Sequence, residues 1–90
     1  MIDPALASEA VATMMGDRMR THGDPTHTLS AIGSMWGHYL GLGRELSVSD
    51  VAAMFVIVKL ARARNGAHYD RDHYLDAVAY TLIAESTARP

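Results

Sequence analysis

The run Val51–Val58 is apolar at every position and stops at Lys59. A helix built on it is apolar on nearly every side through its first half, which predicts the central, most buried helix of an all-α domain. At eight residues the run is far short of the roughly 20 that cross a bilayer. The neighbouring stretches offer partners of the right kind, with apolar residues recurring every three or four positions. One helix is predicted over about residues 4–20, opened by Pro4 and carrying a stripe of Ala7, Val11, Met14, Met15 and Met19. Thr21-His22-Gly23-Asp24-Pro25 breaks it. A second, over about 28–41 with its start near Thr26 or Thr28, carries Leu29, Ile32, Trp36, Tyr39 and Leu40 and ends at Gly41-Leu42-Gly43. The third, built on the apolar run, covers about 48–64, with N-cap candidates in Ser47-Val48-Ser49-Asp50 and a stop at Asn65-Gly66. Asp70 or Asp72 opens the fourth, over about 71–86, whose stripe is Leu75, Val78, Ala79, Leu82 and Ile83.

Short connections favour antiparallel neighbours, so the expected fold is a single all-α domain over residues 1–90, a four-helix antiparallel bundle. Ninety residues is near the small end of what folds unaided, and self-association is a common remedy, so a homodimer or larger homo-oligomer is expected. The chain has no cysteine, which removes disulfide frameworks and thiolate metal sites. A net charge of −2 argues against a specific nucleic-acid partner. The start of the chain, with Asp3-Pro4, lacks the basic-then-apolar pattern of a secretory signal. The expectation is a soluble cytoplasmic protein with no membrane partner.

The basic residues are unevenly placed. Six of the eight (Arg18, Arg20, Lys59, Arg62, Arg64 and Arg71) fall in or beside three polar clusters. These are Arg18–Pro25, the Lys59/Arg62 pair with Asn65, and Asp70-Arg71-Asp72-His73 followed by Asp76. If the helices run up, down, up, down, the ends of the first and third meet the start of the fourth, and all three clusters share one end. That gathering predicts a site for a nucleotide or another phosphorylated small molecule.

Within it, Asp72 and Asp76 are four apart and share a helix face. At about 100° per residue, Asp72 falls inside the apolar stripe between Ala79 and Ile83, and Asp76 falls at its border. Inward carboxylates need a cation. Mg²⁺ is one reading, since it is often held by one or two carboxylates plus substrate phosphates. Ion pairs with Lys59 or Arg62, which share the inner sector of Val51, Phe55 and Val58, are the structural alternative. The same two cations suit phosphates, Arg as a bidentate fork and Lys as a point charge. His22 is placed to donate to a phosphate or orient a water. Asp24 either helps to close the site or serves only as a turn residue accepting backbone hydrogen bonds before Pro25. Trp36 lies on an apolar stripe and reads as core, whereas Tyr80, four past Asp76, is the better surface for a base.

The ordered set Arg20-Thr21-His22-Gly23-Asp24-Pro25, Ile32…Trp36…Tyr39-Leu40, Asp50-Val51-Ala52…Lys59…Ala61-Arg62 and Asp72…Asp76…Tyr80 resembles a small family of uncharacterised phage proteins. Those in turn are described as similar to MazG-type, all-α nucleoside triphosphate pyrophosphohydrolases. The MazG resemblance implies a helical, oligomeric enzyme in the host cytoplasm that cleaves a nucleoside triphosphate to monophosphate and pyrophosphate using Mg²⁺. It makes Asp72 and Asp76 the catalytic metal ligands, and the polar clusters then place Lys59, Arg62, Arg20, His22, Asp24, Asn65 and Tyr80 around the substrate. The MazG pattern also carries two glutamates three apart on an earlier helix, and this chain has no Glu-x-x-Glu. Fewer carboxylates leave less to place both a water and a polyphosphate. The alternative is a non-catalytic protein that binds, and so sequesters, a host nucleotide signal.

Overall fold

A computed structural model describes the backbone of residues 1–90 and every side chain except those of Asp17 and Arg18. Among the described residues the regular elements are all helices: α1 (Ala5–Met15), α2 (Asp17–His22), α3 (Pro25–Tyr39), α4 (Val48–Asn65) and α5 (Arg71–Ala88). The expected first helix is thus two, parted at Gly16, whose backbone (φ −103°, ψ −113°) is not helical. A lone glycine costs a helix only about 1 kcal/mol, and Met14, Met15 and Met19 continue the stripe across it, so the break is poorly signalled.

The other boundaries follow local hydrogen-bonding chemistry. Asp24 Oδ1 accepts from the Thr26 backbone N–H at 2.9 Å and from the Thr26 hydroxyl at 2.8 Å, with Pro25 in the first turn. This starts α3 three positions before residue 28. Ser47 Oγ caps α4 through the Asp50 N–H at 3.0 Å, and Asp70 Oδ1 caps α5 through the Asp72 N–H at 3.0 Å. The Gly66 N–H closes α4 on the Arg62 carbonyl at 3.0 Å, at the predicted Asn65-Gly66 stop. Each such cap is worth about 1 kcal/mol.

Helix α5 is the hub, packing against both α4 and α1, while α3 packs on α4. Its buried residues Leu75, Ala77, Ala79 and Ile83 outnumber those of α4, where only Val51 and Ala52 are buried. The expectation that the helix of the apolar run is the most buried one is therefore corrected: Met54, Ile57, Val58 and Leu60 lie exposed on α4.

The up-down-up-down arrangement is corrected as well. Helices α4 and α5 are antiparallel, as Ser49 Oγ donating to the Ala84 carbonyl at 2.8 Å and the Phe55–Tyr80 ring contact require. Helix α1, however, runs parallel to α5. Arg71, the first residue of α5, donates to Asp3 Oδ2 at 3.0 and 3.2 Å and pairs with Glu9, while Ala10 packs with Leu75 and Ala79 further along and Met14 reaches the cluster of Ile83. The start of α1, and not its end, meets the start of α5.

The Arg71 grip holds Asp3 below its ordinary aspartate range, chiefly through the guanidinium hydrogen bond and then through the Ala5 N–H. Glu9 first, then Asp3, push Arg71 upward. A depressed carboxyl adds stability that is full above the ordinary aspartate value and is lost as pH falls through the lowered one. The melting temperature is expected to fall on acidification through that range, and Arg71→Ala to flatten part of the fall. Thermal scans across pH 2–6 check this; an equally steep fall in Arg71→Ala would refute the contribution.

Candidate functional site

The path of the chain decides which polar clusters meet. Because α1 runs along α5, the turn after α2 lands beside the middle and C-terminal half of α5, not its start. A cavity of about 270 Å³ opens there. His22, Gly23 and Pro25 line it on one side, Leu29 and Ile32 of α3 on another, and Phe55 with Leu75, Ala79, Tyr80 and Ile83 on the helices behind. Met14 and Met19 add pliable apolar wall, and Thr13 and Thr28 are on the lining as well.

Two of the lining rings belong to an aromatic row. Trp36 and Phe55 stack with centroids 5.9 Å apart and planes at 24°, and Phe55 and Tyr80 at 5.1 Å and 17°. These are the offset separations that ring quadrupoles favour. At one end of the row Tyr80 lines the cavity, and at the other Trp36 packs against the core cluster, as its apolar stripe predicts.

One turn further along the antiparallel pair, past Phe55 and Tyr80, sit Lys59 and Asp76. Lys59 Nζ is 3.2 Å from Asp76 Oδ2, with side chains 18% and 14% exposed. Of the two readings of these charges, the ion pair is the one this geometry displays. The inward placement of Asp72 and Arg62 is corrected, for both are exposed. Their helix sectors do point inward by periodicity, but they stand at the first turn of α5 and the last turn of α4, beyond the reach of covering elements. There Asp72 occupies a first turn, where a negative charge suits the helix dipole.

Asn65 ends α4 and is exposed, as is Arg20 on α2. The Asp24 carboxylate is engaged by Thr26, whose N–H first and hydroxyl second hold it below its ordinary range. It acts as the cap of α3. The three clusters therefore separate: the His22–Pro25 turn at the cavity, the Lys59–Asp76 pair one turn away, and Arg62, Asn65 and Asp72 at the α4–α5 turn.

The donor set does not fit a resident Mg²⁺. Asp76 is held by an ammonium, Asp72 faces solvent, and among the described residues no three His, Cys, Asp or Glu side chains gather. Among them also, no helix is long and apolar enough to cross a membrane. The apolar lining had only a faint sequence signal, because Leu29, Ile32, Leu75 and Ile83 are as suited to core as to cavity wall.

These features define a small all-α domain with an apolar, aromatic-walled cavity beside a half-buried ion pair. The chain belongs to the family described as Domain of unknown function (DUF6378), which matches residues 5–88. It is similar to the Gene 55 protein of Mycobacterium phage D29, with 30% identity over 81 residues, covering 90% of this chain and 52% of that protein. The Gene 55 protein of Mycobacterium phage L5 is likewise 30% identical over 87 residues, covering 96% of this chain and 54% of the relative. The chain thus spans about half the length of these curated relatives. No solved structure matches it.

Proposed function

We propose that this domain binds a nucleotide without cleaving it, the base in the cavity and the phosphates toward His22 and Lys59. The observation that carries this reading is a cavity walled by Phe55 and Tyr80 of a stacked aromatic row, with an imidazole on its lining and a cation one helical turn away. A ring face offers a base about 1–3 kcal/mol of stacking, and the apolar walls exclude water from it. Largely apolar lining with a few polar groups is the usual make-up of a small-molecule site. MazG-type hydrolysis asks for carboxylates grouped on Mg²⁺, and the engaged Asp76 and outward Asp72 give it less support. The relatives come from phages, where a protein that sequesters a host nucleotide signal has an evident use.

³¹P NMR of the protein with a panel of nucleotides and Mg²⁺ tests the proposal. Shifted or broadened but chemically intact phosphate resonances are expected. Appearance of pyrophosphate with a matching monophosphate would overturn it in favour of the hydrolase, and an unperturbed panel would overturn both. Thr28→Phe supplies a second check, since Thr28 is an exposed lining position from which a larger side chain can occupy the cavity without displacing the core. The melting temperature is expected to hold while affinity falls by about tenfold or more, the equivalent of ~1.4 kcal/mol.

A further inference from the structure

Helix α4 leaves uncovered the face opposite Val51, Ala52 and Phe55. On that face Asp50, Met54, Ile57, Ala61 and Arg64 recur at alternating spacings of four and three, and all five are exposed. This is the narrow seam pattern of a helix that packs against another helix. Ile57, at its centre, is 67% exposed, and Val58 and Leu60 widen the apolar strip on either side. The seam opens on an acid and closes on a base. Among the described residues neither Asp50 nor Arg64 has a salt-bridge partner.

We infer that two copies of this chain pair antiparallel through α4, about a two-fold axis at Ile57, with Asp50 of each facing Arg64 of the other. The seam is self-complementary only in that direction. Position 57 lies midway between 50 and 64, so an antiparallel match sets acid on base at both ends and brings Met54 within one residue of Ala61's level on both sides of the axis. A parallel match would set Asp50 on Asp50 and Arg64 on Arg64. From Asp50 to Arg64 the seam runs about 21 Å at 1.5 Å per residue. A two-fold interface of this kind presents the same patch on both partners. The proposal stands apart from the nucleotide reading, because the cavity lies on the opposite side of α4.

Sedimentation equilibrium of the 90-residue chain, with circular dichroism to confirm folding, tests it. A dimer is expected, and Ile57→Asp is expected to dissociate it without unfolding the protein, since Ile57 is exposed within one copy. Asp50→Arg and Arg64→Asp each set like charges together at two symmetric places and are expected to weaken the dimer about tenfold or more. The double variant Asp50→Arg/Arg64→Asp restores opposite charges at both ends and is expected to recover most of that loss. A monomer at all micromolar concentrations, or a double variant no tighter than either single one, would overturn the pairing. The first result would assign the face to a different partner.

Discussion

Gly33→Ala is expected to destabilise the domain by about 3 kcal/mol and to lower its melting temperature by on the order of 15 °C. Helix propensity alone predicts the reverse, because alanine is favoured over glycine inside a helix by about 1 kcal/mol. The geometry outweighs it. A Cβ at Gly33 would stand 2.2 Å from the Leu46 carbonyl oxygen and 3.3 Å from a Val51 methyl. The obstruction is backbone, so no rotamer change relieves it, and α3 must lift off the segment before α4. That movement breaks the 3.1 Å bond from the Leu46 N–H to the Gly33 carbonyl, worth about 1 kcal/mol. It also opens the core around Val51, an overpacking cost near the top of the usual range of roughly 1–3 kcal/mol. At Gly37, one turn on, an added Cβ would stand the same 2.2 Å from the Arg44 carbonyl oxygen, and Gly37→Ala should respond similarly. Ser34→Ala, on the exposed side of the same helix, should gain slightly. Thermal unfolding of the three variants checks the ordering, and a stabilised Gly33→Ala would refute the close approach.

These two glycines mark the boundary of what was legible in the chain. Helix positions followed from apolar spacing, and caps from Ser47, Asp70 and the Asn65-Gly66 stop, because those signals act within a few residues. Gly33 and Gly37 sit inside a helical pattern where propensity makes them only mild faults, and nothing local says that a loop lies against them. The direction of α1 depends on contacts such as Arg71 with Asp3 and Glu9, which join residues far apart in the chain. Once α1 runs parallel to α5, the three polar clusters separate. Periodicity assigned Asp72 and Arg62 to inner sectors correctly, but a sector is buried only where another element reaches over it. Tyr80 and the exposed His22 both line the cavity, to which α3, α4 and α5 contribute walls, but neither residue's sequence position reveals that lining.

Asp76→Asn discriminates between the readings of the site. Lys59 and Asp76 are mostly covered, at 18% and 14% exposed, so their pair falls between a surface bridge of at most about 1 kcal/mol and a fully buried one, where loss of a partner costs ~3–5 kcal/mol. We expect a loss of roughly 2 kcal/mol and a melting temperature about 10 °C lower, because an ammonium keeps its cover but loses its counter-charge. Lys59→Met/Asp76→Leu removes both charges together and is expected to regain most of that stability. Under the binding proposal, Asp76→Asn releases Lys59 toward a phosphate, so nucleotide affinity should hold or rise even as stability falls. Lys59→Met/Asp76→Leu should then be stable and bind phosphorylated ligands poorly. A metal-ligand role for Asp76 predicts the opposite separation, with folding spared and nucleotide turnover lost. Unfolding and nucleotide titration of the same preparations therefore decide between a charge that holds two helices together and one that holds an ion. Affinity lost in Asp76→Asn with no change in melting temperature would exclude the ion pair as the reason Asp76 faces inward.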